Sequence, residues 1–303
     1  MYNYSVIIPH YNSIKFLIRC ICSIPLREDI QIIVVDDCSP DRDSVNVVAA
    51  SFPHVKMILM EKNSGAGAAR NTALPLAKGR WLIFADADDF FLPEAWVTFD
   101  KYVSSESEIV YFMSESVDAI TLEPVTRSST YNILVGSCDN ISQDSKDRLR
   151  LRHDVPWGKM IRRALVERGK VTFDEVRYCN DTMFSTMTGL LANQIYSVHE
   201  PVYCVTNNDS SLTHQRSPQK DLVRYEVILR KNRLLADNGY AQWRVPIVAY
   251  LKSILISGDR QAIRDLIRLG RIYKVHYVPE LYNWIVRQIK YALTGKKSDL
   301  INV

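Results

Sequence analysis

Between Tyr4 and Ser114, five short apolar runs alternate with segments of helical period, and this alternation restricts the fold more than any other feature of the chain. The runs cover residues 4–9, 31–35, 55–60, 81–85 and 109–114. Helices are predicted between them, at 44–52, 67–77 and 93–103, and after the first run, where Ile14, Leu17, Ile18 and Ile21 share one face behind Asn12 or Ser13 as cap. Strands that are apolar throughout, each followed by a helix, predict a mostly parallel sheet covered on both faces. Ligands of such sheets sit beyond the carboxyl ends of the strands. The polar residues of this region gather at those ends: Tyr11-Asn12, Asp36-Asp37, Asn63 and Asp86-Ala87-Asp88-Asp89.

The last of these groups is the most demanding. Three carboxylates follow the buried run Trp81-Leu82-Ile83-Phe84 at once. They repel one another and lose hydration there, which a cation between them would relieve. A divalent metal carrying a phosphorylated substrate fits, because hard cations take oxygen ligands and bridge to phosphate. An acidic turn opening the helix at Pro93-Glu94 is the other reading of the same residues.

The chain has 303 residues, enough for one large domain or a domain with an appendage. Charge is unevenly spread. Residues 216–303 carry 17 Lys and Arg against 7 Asp and Glu, and the first 215 carry 21 against 27. A basic tail on an acidic body suits an anionic partner such as a membrane surface, or else a set of solvated helix faces. The six cysteines have no metal-binding or CxxC spacing, which fits a reduced, cytoplasmic protein. No signal peptide is expected at Met1-Tyr2-Asn3-Tyr4, and no apolar run reaches spanning length. The middle, 116–215, is less regular. Residues 128–147 read as polar loop, 161–168 and 182–192 as helix, and 195–198 and 202–205 as two strands flanking Pro201. From Pro218 onward the chain reads as helix, at 221–236, 246–257, 261–269 and 279–293.

Four elements in order carry a family resemblance: Ser5-Val-Ile-Ile-Pro-His-Tyr-Asn12, Ile33-Val-Val-Asp-Asp37, Asn63-Ser-Gly-Ala-Gly-Ala-Ala-Arg-Asn71 and Asp86-Ala-Asp-Asp89. Together they resemble the family 2 glycosyltransferases, over about residues 4–100 and more weakly to about 215. The resemblance implies an α/β fold of GT-A type, a Rossmann-like sheet with flanking helices, followed by a helical C-terminal region. It divides the chain into a catalytic domain at 1–215 and a basic helical region at 216–303. Within the first, residues 1–115 would bind nucleotide and 116–215 the acceptor.

By resemblance, Tyr11 stacks on the nucleotide base, Pro9 lends its backbone to it, and Asp37 accepts from the uracil ring N–H. Read from sequence alone, Tyr11 could instead cover the sheet edge, and Asp37 could cap the Ser39-Pro40-Asp41 turn. Asn63 and Arg70 resemble residues holding the base and the diphosphate edge. Asp86 and Asp88 match the Asp-x-Asp pair, with Asp88 the ligand of Mn²⁺ or Mg²⁺, Asp86 facing the ribose or the metal's water shell, and Asp89 beside them. Tyr178-Cys-Asn-Asp-Thr-Met-Phe184 matches the element carrying the catalytic base, so Asp181 is the expected base, with a helix cap as its alternative role. The sequence departs from the pattern at Asn180, where Glu is usual. Trp157, in Val155-Pro-Trp-Gly-Lys159, packs beneath the sugar or in the core. His214 and Arg216 fall where a mobile loop often closes over the donor.

The resulting expectation is an inverting, metal-dependent glycosyltransferase. It would move a sugar from a nucleotide sugar, UDP-linked by preference, to a hydroxyl of a glycan or lipid-linked glycan in surface polysaccharide synthesis. The alternatives are a nucleotidyltransferase, although its Gly-rich, Lys-bearing signature is missing, and a non-catalytic nucleotide-binding scaffold. Tyr273, Tyr277, Tyr282, Trp284 and Tyr291 interleave with Arg271, Lys274, Arg287 and Lys290. This composition suits peripheral contact with the inner face of a cell membrane, a homo-oligomer contact or a core face. No nucleic-acid motif accompanies it.

Overall fold

The computed structural model describes residues 1–207, 217–279 and 282. The chain divides into two compact units, Met1–Asn208 and Asp209–Val303.

The first unit is built on an eight-stranded sheet in the order β3-β2-β1-β4-β7-β6-β8-β5. The strands are β1 (Tyr4–His10), β2 (Ile30–Asp36), β3 (Val55–Leu59), β4 (Trp81–Phe84), β5 (Phe90–Phe91), β6 (Ile109–Asp118), β7 (Lys159–Arg162) and β8 (Ile195–Asn207). The first four are parallel. Tyr4 pairs with Ile30 of β2 and Trp81 of β4, and Ile32 of β2 pairs with Val55 of β3. β1 and β4 are buried along their whole length, as their unbroken apolar sequences require. Helices α1 (Ile14–Cys22), α2 (Arg42–Ser51), α3 (Gly65–Ala73) and α4 (Ala95–Lys101) connect these strands and the sixth. α3 starts two residues before its expected position and ends early, because Pro75 turns the chain into a short 3₁₀ segment at Leu74–Leu76.

The second half of the sheet departs from the sequence reading in three places. Residues 161–168, expected as one helix, divide into β7 and α7 (Arg163–Gly169). β7 runs antiparallel to both β4 and β6, so the sheet is mixed there. The two strands expected around Pro201 are one long β8, parallel to β6, which absorbs the proline at a register shift between Phe112 and Ser114. Residues 128–147, expected as loop, carry α5 (Ser129–Gly136) and the start of α6 (Gln143–Arg152). α6 lacks an apolar stripe, and polar groups hold it instead. Ser142 caps it, and buried Arg150 reaches Asp147 at 2.7 Å and the carbonyls of Gly189 and Ala192 at 3.1 and 2.8 Å. Gly189 lies on α8 (Thr182–Leu191), where a Cβ would stand 2.2 Å from the Arg150 carbonyl oxygen.

The second unit, where described, is helical: α9 (Pro218–Asp237), α10 (Val248–Ser257) and α11 (Arg260–Ile272). Tyr225, Ile228, Leu229, Ile254, Leu266 and Leu269 form its core. Ser217 and Asp259 cap α9 and α11 with their side chains. The expected helix at 279–293 lies almost wholly outside the described residues, and with it Trp284, Arg287, Lys290 and Tyr291. Among the described residues no helix is long and apolar enough to cross a membrane.

Tight backbone contact fixes the start of β1. A Cβ at Gly79 would lie 2.3 Å from the Ser5 nitrogen and 2.4 Å from the Tyr4 carbonyl carbon, both main-chain atoms. Gly79→Ala is therefore expected to lower stability by about 1–3 kcal/mol, measured by urea denaturation. Wild-type stability in this variant would show that the β1 edge yields.

Candidate active site

The acids at the end of β2 are tied into the scaffold. Asp36 is fully buried. Its carboxylate accepts from Ser39 N at 2.9 Å and Ser39 Oγ at 2.5 Å, and lies 2.8 Å from His10 Nδ1. The Ser13 amide donates to His10 Nε2 at 3.1 Å, so Nε2 is the acceptor and the proton sits on Nδ1, facing Asp36. Burial lowers the His10 pKa and keeps the ring neutral, against the pull of Asp36. Asp37 caps α3 rather than the turn that follows it. Ser64 N donates to Oδ1 and Gly65 N to Oδ2, each at 2.7 Å. Asn63 Nδ2 donates to the Asp37 carbonyl at 3.1 Å. Tyr11, past the end of β1, is 48% exposed, whereas Pro9 is buried within β1 opposite Val35.

The loop after β4 gives its three carboxylates different surroundings. Asp89 is buried and engaged with β8: Tyr203 OH donates to Oδ2 at 2.9 Å and Thr206 N to Oδ1 at 2.7 Å. Burial, then the charges of Asp88 and Asp86, push its pKa well up. The Asp86 amide donates to the same Tyr203 hydroxyl at 2.8 Å, so the tyrosine joins two of the acids. The Asp86 carboxylate, a third exposed, accepts from Arg70 Nη2 at 2.5 Å. Asp88 differs from both. Its carbonyl is held by Arg19 Nη2 at 2.6 Å and Thr206 Oγ1 at 2.7 Å, but its carboxylate accepts nothing from another described residue. Burial raises the Asp88 pKa first and Asp86 adds to it, with Arg127 and Arg19 opposing.

These two hard oxygen donors fit a divalent cation. A carboxylate destabilised by burial and by a like charge, and without a donor from another described residue, is what such an ion would relieve. Among the described residues no group of three His, Cys, Asp or Glu could hold an ion alone. Substrate phosphate and water would have to complete its shell, as is usual for magnesium-like ions.

Arg70 connects this loop to the element carrying Asp181. It is 4% exposed and lies over the Phe173 ring, 5.2 Å from its centroid. Nη2 holds Asp86, and Nη1 donates to Asn180 Oδ1 at 2.9 Å. The neutral Asn180 thus supplies an acceptor without adding a charge beside Asp181. Gly67 brings α3 against the same segment, since a Cβ there would stand 2.1 Å from the Asp174 carbonyl oxygen. Beneath it, Phe173 and Phe184 stack at 3.9 Å, and Phe84 of β4 meets both edge-on. Asp181 stands at the N-cap of α8, yet its side chain makes no capping hydrogen bond. Its pKa is pushed up to about 6 by burial, with Asp154 and Asp86 adding and Arg70 opposing.

The structure thus joins Arg70, Asp86 and the segment carrying Asp181, and among the described residues no other side chain or amide donates to the carboxylates of Asp88 and Asp181. Trp157 belongs to the core: it is 6% exposed, stacked on Tyr203 at 6.0 Å and edge-on to Tyr131 at 4.9 Å. His214 and Arg216 lie outside the described residues. Sequence reasoning passed over Arg19, Tyr203, Thr206 and the Tyr131–Asp154 pair, joined at 3.2 Å. Each meets the acids through contacts distant along the chain, which no local pattern signals.

A mixed sheet with a parallel half, flanked by helices and carrying an Asp-x-Asp pair beyond β4, has the architecture of a GT-A type fold. The glycosyl transferase family 2 model matches residues 5–170, and the chain belongs to that family. EpsJ of Bacillus subtilis (strain 168), named an uncharacterized glycosyltransferase, is 28% identical over 222 residues, 69% of this chain and 62% of EpsJ. The structure of S. aureus TarS 1–349 in complex with UDP-GlcNAc matches with TM-score 0.60 at 22% identity, over 78% of this chain and 71% of that one. The mannosyltransferase PcManGT from Pyrobaculum calidifontis, in complex with GDP-Man and Mn²⁺, matches with TM-score 0.55 at 16% identity, over 99% and 85%. This chain spans from about a quarter to under two thirds of the curated relatives it first matches.

The environment of Asp181 has a measurable cost. A carboxyl at about 6 in the folded protein, against 3.8 ordinarily, binds its proton more tightly folded than unfolded. Stability contributed by that proton is present at pH 4 and lost as pH rises through 6. Asp181→Asn is therefore expected to stabilise the protein at pH 7.5 by up to about 3 kcal/mol, the gain vanishing near pH 4. Thermal denaturation of both proteins across that range tests it, and a pH-independent difference would contradict the assignment.

Proposed function

We propose that the chain is a metal-dependent, inverting glycosyltransferase that moves a sugar from a UDP-sugar to a hydroxyl of a glycan or lipid-linked glycan. The observation that carries this reading is the Arg70 bridge between Asp86 of the acidic loop and Asn180, the neighbour of Asp181. The exposed Tyr11 would stack on the base, with Asn63, the Pro9 backbone and the Asp37 carboxylate beside it. Asp37 already accepts one amide on each oxygen, and each oxygen retains a lone pair for a ring N–H. Asp88, with Asp86, would hold Mn²⁺ or Mg²⁺, which when bound neutralises the diphosphate and stabilises it as a leaving group. The nucleotide sugars bound by TarS and PcManGT, and the Mn²⁺ of the latter, support the donor class.

Asp181 takes the proton of the acceptor hydroxyl as its oxygen attacks the anomeric carbon. The bond from that carbon to the phosphate oxygen breaks on the opposite face, its electron pair leaves with UDP, and the configuration inverts. A carboxylate at about 6 is ionised at neutral pH, yet more basic than an ordinary aspartate. Arg70 keeps charge of the right sign between the donor side and the base. Residues 1–215 would form the catalytic domain, nucleotide in the first 115 residues and acceptor beyond. The basic region of 216–303 would meet a second copy or the inner face of a membrane, and the enzyme would be cytoplasmic.

Two variants separate the roles. Asp88→Asn is expected to abolish Mn²⁺-dependent UDP binding measured by calorimetry. Asp181→Asn should retain UDP binding while kcat falls by about 10²–10⁴-fold, and the acid limb of the wild-type kcat profile should lie near pH 6. Full turnover by Asp181→Asn would remove it as the base. Release of pyrophosphate instead of UDP would mark a nucleotidyltransferase, and UDP binding without turnover a scaffold.

A further inference from the structure

Arg19 lies in the last turn of α1, whose buried residues, Leu17, Cys20 and Ile21, are otherwise apolar. An arginine on a helix ordinarily carries its charge out to water along its aliphatic stem. Here the guanidinium is held between aromatic rings, 5.1 Å from the centroid of Phe16 and 4.9 Å from that of Phe90. It donates to two main-chain carbonyls, Asp88 at 2.6 Å through Nη2 and Ala119 at 3.3 Å through Nη1. Its Nε is buried without a partner among the described residues. Withdrawing a cation from water in this way is costly unless negative charge stands nearby, and the acids after β4 supply it. The benefit is mutual, since Arg19 is among the charges that favour the ionised form of Asp88.

The other donor to the Asp88 carbonyl is Thr206 Oγ1 of β8, at 2.7 Å. That carbonyl is therefore gripped from two elements far apart in sequence. A fixed carbonyl fixes the peptide, and with it the direction in which the Cα–Cβ bond carries the carboxylate. Two aromatic rings further restrict the cation that does the gripping. Nothing about ordinary helix stability requires this arrangement, because the charge would serve α1 equally well in water.

We propose that Arg19 is a positioning residue for Asp88, clamped by Phe16 and Phe90 so that its guanidinium sets the Asp88 peptide and aims the carboxylate into the donor site. The functional half of this inference rests on the donor-binding role proposed for Asp88. The structural half does not.

Arg19→Met keeps the apolar stem between the rings and removes the donors. Arg19→Lys keeps the charge but loses the fork. Hydrogen exchange followed by mass spectrometry on the full chain, without ligand, is expected to show faster exchange at 87–91 in Arg19→Met, partly restored in Arg19→Lys, with β1 and β2 unchanged. Titration with UDP and Mn²⁺ should then show affinity lower by roughly 10–100-fold in Arg19→Met, the range typical when a partner that orients a metal ligand is lost. Unchanged exchange at 87–91 would overturn the proposal, and so would a uniform rise across the sheet, which would mark a plain structural residue. If Arg19→Met does not fold, the same comparison with Arg19→Lys decides. If wild-type protein takes up no UDP with Mn²⁺ while the exchange result holds, the donor reading fails and the coupling of Arg19 to Asp88 stands.

Discussion

Three carboxylates crowded at the end of β4 repel one another, Asp89 from a buried position, and the structure around them is organised by how each charge is accommodated. Asp86 is paired with Arg70, and Asp89 takes hydrogen bonds from Tyr203 and Thr206. Asp88 has only its main chain held, by Arg19 and Thr206. Two of the three acids are thus matched by protein donors, and the third keeps its carboxylate for something else. Leaving such a group unmatched costs free energy in the folded protein and is understandable if a ligand recovers it.

The same economy of donors bears on where a diphosphate can be held. A glycine-containing turn opening a helix is often an anion site, because its amides point outward. Here the amides of Ser64 and Gly65 at the start of α3 are already taken by Asp37. The start of the 63–71 segment therefore offers a phosphate fewer free amides than its glycines suggest. In the proposed reaction, phosphate charge would be met by Arg70 and by a cation at Asp88.

Asp181 and Asn180 sit in one such network of charges. Arg70 can reach Asp86 and the 174–181 segment together because Asn180 offers a carbonyl oxygen without a second charge. Asp181 is then left facing Arg70, Asp154 and Asp86, with burial dominant and its pKa near 6. Gly67 sets the distance across this contact, since any side chain there would collide with the Asp174 carbonyl. The raised pKa at this position thus follows from packing between α3 and the 174–181 segment.

The sequence by itself determined the parallel half of the sheet, since unbroken apolar runs joined by helices have few other ways to bury both faces. It also placed Tyr11, Asp37, Asn63 and the acids at 86–89 at strand ends, because strand ends are set by local pattern. Tertiary structure decided the antiparallel course of β7, the single strand across Pro201 and the polar helix α6, whose Arg150 is satisfied by carbonyls of Gly189 and Ala192. It also decided that Trp157 is core, that Asp37 caps α3, that Asp89 anchors β8, and that Arg19 turns inward to Asp88. The physical reason is the same for each. Apolar periodicity records which face is buried, whereas the partner of a polar group is chosen by whatever the completed fold brings within hydrogen-bonding distance.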